Sequence, residues 1–175
     1  MIMTDSDYIS KFKRVLYGEA LVGEGPEVAH IDLVMGPRGS SAEVAFVTAL
    51  AMPQRGHTPL MAIVAPNLPA RPATLMVNKV TMKRAKQALR MFGPAQHAIG
   101  MAVMDCVADG TIPKELADDL FIIVSVFIGW DARDKDYIHD WNYEAVKLAI
   151  KNAINGTPTV DEILAKKDTA EHPFY

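Results

Sequence analysis

Residues 27–39 read EVAHIDLVMGPRG, and the spacing of their apolar side chains decides how the chain folds. Successive side chains of a strand point to opposite faces. Over 28–35 this puts Ala29, Ile31, Leu33 and Met35 on one side, a plain core surface, and Val28, His30, Asp32 and Val34 on the other. The Gly and Pro residues of the GPRG run that follows stop the strand. His30 and Asp32 therefore project the same way, with Cα atoms about 7 Å apart given the rise of a strand. A face that carries an imidazole and a carboxylate is not a core face, and it must meet solvent, a ligand or a partner subunit. Spacing alone admits two readings, a solvated face with an incidental histidine and a general acid or base, since imidazole titrates near neutral pH.

Working outward, residues 15–22 (VLYGEALV) form a second strand joined to the first by the Gly/Pro turn GEGPE. Ser40 and Glu43 have capping-box spacing, and Ala42, Ala45, Phe46, Ala49 and Leu50 repeat with helical period behind them, which predicts a helix over 40–52. LMAIVA, 60–65, is a short apolar strand, and PNLPARPA after it is an extended connection because its prolines exclude regular structure. TLMVNKVT, 74–81, is a further strand with Lys79 and Thr81 on the face of Leu75 and Val77. A lysine there reads either as an edge-strand charge or as a contact for an anion or carbonyl. Helices follow over 83–91 and 94–109, the second with Pro94 in its first turn and Gly110 beyond its end. PKELADD leads into a strand at 120–128, then a helix at 134–155, and Thr159 with Glu162 caps a last short helix before the HPFY tail. The order β-β-α-β-β-α-α-β-α-α predicts an α+β domain, a mixed β-sheet with helices packed on one face.

The rest of the composition mainly excludes. One domain suits 175 residues, with the first fourteen, polar and of both charge signs, as an N-terminal extension to a domain spanning 15–175. A net charge of −3 without a basic stripe disfavours nucleic acid. A lone cysteine, Cys106, allows no internal disulfide and fits a reducing compartment. FIIVSVFIGW falls short of the ~20 apolar residues that cross a bilayer, and no secretion signal is visible, so a cytoplasmic protein without a membrane partner is expected. The five histidines (30, 57, 97, 139, 172) have no zinc-ligand spacing, so no metal site is expected. GEGPEV lacks the third glycine of a dinucleotide fingerprint.

Longer segments carry a resemblance. GEALVGEGPEVAHIDLVMGPRGS, GHTPLMAIVAPNLPARP, TLMVNKVT, MFGPAQHA, IPKELADDL, NYEAVKLAI and the closing HPF resemble, in order and over nearly the whole chain, the formaldehyde-activating enzymes. The resemblance implies a fold like the second domain of ribosomal protein S5. It implies condensation of formaldehyde with tetrahydromethanopterin to 5,10-methylenetetrahydromethanopterin and water, a hydro-lyase reaction of one-carbon metabolism that serves detoxification or methylotrophic assimilation. It also implies a homopentamer with pterin sites in clefts between subunits, and no metal or redox cofactor, the pterin being a cosubstrate.

Residue by residue, the family's catalytic histidine matches His30 and its pterin-contacting aspartate matches Asp32. Lys79, Thr81 and Gln96 match further substrate-contacting positions. Met61 stands where leucine is usual, a swap that nearly conserves volume. Glu27 and His97 are further candidates for assistance. Two other departures are Gly129 in VFIGWDA, where family members often carry histidine, and the N-terminal extension, read as an extra helix or arm at a subunit boundary. The alternative is a non-catalytic paralogue that binds a reduced pterin or formaldehyde adduct as sensor, carrier or regulator.

Overall fold

The computed structural model describes residues 5–172. The expected alternation organises it. Strand β2 (Ala29–Pro37) is flanked by β1 (Leu16–Val22) and β7 (Leu120–Ile128), both antiparallel to it. Strand β6 (Ala73–Asn78) runs parallel to β7, and β3 (Leu60–Met61) closes the far edge, giving a mixed five-stranded sheet of order β1-β2-β7-β6-β3. Ala29, Ile31, Leu33 and Met35 are at most 1% exposed, as the alternation requires. They join Ile122, Val124 and Val126 of β7 in one apolar core. Each such Ile, Leu or Val contributes about 1.5–3 kcal/mol relative to exposure.

Two helices cover this face, α4 (Gln96–Ala108) and α5 (Lys135–Asn155). Helix α5 brings Ala145, Ala149 and Ala153 toward the sheet, all buried, and small residues let its backbone come close. A Cβ at Gly18 of β1 would lie 2.1 Å from the Ala149 carbonyl oxygen, so only glycine permits this approach. Asp134 caps α5 by accepting from the N–H groups of Asp136 and Tyr137, and Gly156 ends it at φ +64°. The capping box expected for the last helix, α6 (Val160–Lys166), is formed by Thr159 and Glu162. The HPFY tail lies, after His172, outside the described residues.

Helix α2 (Ser41–Ala51) sits on the opposite face, over one end of it, with the Phe46 ring edge-on to Phe121 at 5.2 Å between centroids. The repeat that predicts this helix does not say which face of the sheet it takes, and the helix is only partly covered: Ala42 and Phe46 are buried while Val44, Val47 and Leu50 stay exposed. The expected strand over 60–65 is broken at Ala62. Residues Ile63–Ala65 (β4) turn away to pair with Leu68–Pro69 (β5), through a turn in which Asn67 takes φ +66°. The proline-rich connection is thus a small hairpin, one that packs on α4. The expected helix over 83–91 is the shorter α3 (Ala85–Arg90), joined to α4 by a π turn over Met91–Ala95. That wider turn holds Pro94, whose missing N–H cannot serve a regular helix.

Within the extension, residues 1–4 lie outside the described residues, and α1 (Asp5–Ser10) leads into a 3-10 turn. Phe12 of that turn is 2% exposed and belongs to the core, and Tyr8 packs on it edge-on and donates to the Thr111 carbonyl at 2.7 Å.

Two backbone contacts fix the entrance to β2. The Gly129 backbone lies against Pro26, so a Cβ at 129 would come within 2.3 Å of the Pro26 carbonyl oxygen. Glu27 accepts from the N–H groups of Arg133 and Asp134 at 2.8 and 3.2 Å. Those bonds, the one from Arg133 foremost, hold the Glu27 carboxyl below its ordinary 4.5. A lowered folded value means stability that is present above pH 4.5 and lost as pH falls through the folded value. Glu27→Gln is expected to cost no more than about 1 kcal/mol at neutral pH. Thermal melts at stepped pH check this, and the deficit should shrink below pH 4.5.

Candidate active site

The face of the sheet turned away from α4 and α5 is left open at the end that α2 does not reach. The strand pairings decide which side chains stand there. Asp32 is opposite Glu19 of β1 and Ser125 of β7, and His30 is opposite Leu21 and Phe127. Paired residues share a face, so Glu19, His30, Asp32 and Ser125 all project outward. β6 adds Lys79: Val77 is level with Ser125, and one step past the strand the Lys79 N–H still bonds the Val126 carbonyl at 2.8 Å. The Lys79 side chain then lies over β7 and forms an ion pair with Asp32.

His30 is about one-third exposed, with Nε2 3.0 Å from Glu19 Oε1 and 3.7 Å from Asp32 Oδ1. Both carboxylates therefore lie on the Nε2 side of the ring, where their negative charge favours a proton on that nitrogen. The outcome is an imidazole between two carboxylates, one of them also held by an ammonium, on a rigid sheet rather than a loop. Such a group can give or take a proton at a carbon–oxygen or carbon–nitrogen centre placed above it.

Of the residues expected from the sequence, His30, Asp32 and Lys79 are thus brought together. Thr81 lies past the end of β6, where its Oγ1 is 2.9 Å from His57 Nε2. His57 Nδ1 is 3.0 Å from the Asn78 carbonyl, an acceptor, so neutral His57 is protonated on Nδ1 and receives the Thr81 hydroxyl proton on Nε2. Gln96 and Met61 are joined to one another: the Gln96 amide, 7% exposed, donates to the Met61 carbonyl at 2.6 Å and ties α4 to the edge strand β3. Among the described residues neither is hydrogen-bonded to His30. Glu27 and His97 are engaged elsewhere, Glu27 on the turn before α5 and His97 with Nδ1 3.0 Å from His139 Nε2. Glu19 is the group that reading single strands misses. Counting back from the GEGPE turn in antiparallel register would have found it opposite Asp32.

Beside Thr81 a narrow slot opens at the ends of β6 and β7, bordered by Asn78, Met82, Gln87, Arg90 and Gly129. Asn78 forms its inner wall, and its amide donates to the carbonyls of Gly56 at 2.8 Å and Val80 at 2.5 Å. Asn78→Ala would strip a buried donor from two carbonyls at once, at a cost of about 1–3 kcal/mol. A lowered melting temperature with faster amide exchange confined to the 52–58 and 79–82 segments is the expected result.

These features define a class, a small α+β domain that carries an imidazole, two carboxylates and an ammonium on an open sheet face. The chain belongs to the formaldehyde-activating enzyme family, whose model matches residues 17–175. It is 62% identical over 166 residues to the 5,6,7,8-tetrahydromethanopterin hydro-lyase of Methanosarcina barkeri, an alignment that covers 95% of this chain and 93% of that protein. It is also 52% identical to the bifunctional enzyme Fae/Hps of Methanothrix thermoacetophila and 50% identical to that of Archaeoglobus fulgidus, over 90% of this chain in each case. The chain spans 40% of the length of each of these two bifunctional relatives.

Proposed function

We propose that this protein condenses formaldehyde with tetrahydromethanopterin, releasing water and 5,10-methylenetetrahydromethanopterin. The observation that carries the reading is His30 standing beside the Asp32–Lys79 pair on the open sheet face of a chain of this family. N5 of the pterin adds to formaldehyde and gives a carbinolamine. Protonated His30 then delivers its proton to the hydroxyl oxygen, water departs with the C–O bonding pair, and the N5 lone pair forms the iminium. N10 attacks that carbon, the five-membered ring closes, and the N10 proton returns to His30. The cycle thus consumes no net proton. Asp32 hydrogen-bonds the pterin ring, Lys79 and Thr81 set its orientation, and Met61, on the strand end that Gln96 secures, supplies an apolar contact. Holding two reactive centres in line is itself a large part of such catalysis. The chemistry asks for no metal or redox cofactor from the protein, and the pterin is a cosubstrate.

The protein is further read as a cytoplasmic homopentamer with pterin sites between subunits. No helix among the described residues is long and apolar enough to cross a membrane. The outer side of α2 supports assembly: Val44, Val47 and Leu50 are 46–66% exposed on one stripe. The double substitution Val47→Glu, Leu50→Glu is expected to give a smaller species by light scattering on a sizing column. An unchanged mass would place the interface on another surface.

The enzyme reading is tested by the rate of methylene-tetrahydromethanopterin formation with the uncatalysed background subtracted. Acceleration by the native protein, a fall of about 100-fold in kcat for His30→Ala and a KM for the pterin within a few-fold are expected, the size usual for loss of a general acid. Pterin binding without acceleration would make the protein a binder, such as a sensor or carrier.

A further inference from the structure

The groups on the open face divide into two pairs. Asp32 is held by Lys79, leaving Glu19 as the carboxylate nearest His30. Register forces this arrangement. Glu19 lies opposite Asp32 while His30 lies opposite Leu21, so Glu19 and His30 are diagonal neighbours across the β1–β2 pair, within reach of long side chains. The strand carrying Glu19 is fixed from behind, because Asn152 of α5 donates to the Glu19 carbonyl at 2.9 Å.

The contact has a consequence for the two ring nitrogens. Glu19 Oε1 is 3.0 Å from Nε2, and an ionised carboxylate that close favours a proton on Nε2 over a lone pair. Neutral His30 is then the Nε2–H tautomer with its lone pair on Nδ1, for which no hydrogen bond is formed among the described residues. Protonated His30 carries its second proton on that same Nδ1. The nitrogen that Glu19 leaves free is therefore the one that can exchange a proton with a ligand, and the carboxylate beside one ring nitrogen selects the role of the other.

We propose that Glu19 is the positioning residue of the site. By setting its charge beside Nε2 it favours the Nε2–H tautomer of His30, so that Nδ1 gives the proton to the departing hydroxyl and afterwards recovers one from N10. Without that hold, neutral His30 is free to carry its proton on Nδ1, where it cannot accept from N10 and the cycle stalls after dehydration. With Glu19 and Asp32 ionised, Lys79 charged and His30 protonated, the four side chains sum to zero charge. The role deepens the reading of His30 as general acid and rests on it.

Glu19 is exposed at the sheet edge, with 60% of its side chain accessible, so its substitution should leave the fold intact. The test has two arms. In the kinetic arm, Glu19→Gln, which can donate as well as accept, should lower kcat by about 10- to 100-fold with the pterin KM within twofold and melting unchanged, the range expected when acid–base exchange is impaired. Glu19→Asp should regain part of the loss, and added formate should raise kcat of Glu19→Ala but not of the native protein. An unchanged kcat in Glu19→Gln, or a loss confined to KM or to melting, overturns the proposal. In the second arm, nitrogen-15 NMR of the imidazoles, assigned with His30→Ala, reads the tautomer directly and without turnover. Neutral His30 should be protonated on Nε2 in the native protein and mixed in Glu19→Gln; protonation on Nδ1 in the native protein overturns it. If the native protein accelerates nothing while NMR gives Nε2–H, the reading of the reaction fails and the positioning of His30 stands.

Discussion

The alternation of β2 between two antiparallel neighbours is the constraint from which the rest follows. Ala29, Ile31, Leu33 and Met35 face α4 and α5 with essentially no exposure, so the residues between them have nowhere to point but outward. A shift of one residue would invert both sets, bury His30 and Asp32 against aliphatic side chains and strand Ile31, Leu33 and Met35 in water. The apolar half of the strand therefore holds the polar half in place. Lys79 arrives by the same logic, since the parallel register of β6 on β7 puts it level with the same outward row.

Much of this was visible in the residues themselves. Period two over 28–35, the Gly/Pro turn before it and the caps at Ser40 and Thr159 are local signals, and they place the strands and helices close to where they lie. What was not visible depends on pairing or tertiary space. Glu19 has no local mark, and it gains its significance only when β1 is set against β2. The break at Ala62 arises because Pro66 and Asn67 form a turn that folds β5 back on β4, while proline content alone suggests an open connection. The apolar repeat of α2 predicts the helix but not which face of the sheet it covers, so its place on the outer face had no signature.

The placement of α2 also shapes the site. Had every helix gathered on one side, the whole outer face would be bare and the histidine would stand in open water. Instead, α2 and Phe121 cover one end, and the remaining half is bounded by β1, β6 and the segment from Gly56 to Met82 that His57, Asn78 and Thr81 stitch together. Among the described residues that bounded floor has no roof. A ligand of two fused rings could lie across it with one surface against the sheet and the other left for a neighbouring molecule to cover.

The meeting of Gly129 with Pro26 has a consequence for how such sequences diversify. Two backbones touch there without a side chain between them, so each serves as the spacer for the other. Any residue larger than glycine at 129 needs the turn over 25–27 to retreat, and that turn also carries Glu27, the clasp on the start of α5. Position 129 and the hairpin turn are therefore not independently mutable. They should change as a coupled set between lineages, and a chimera that takes one from a relative and the other from this chain would inherit a collision that neither parent contains.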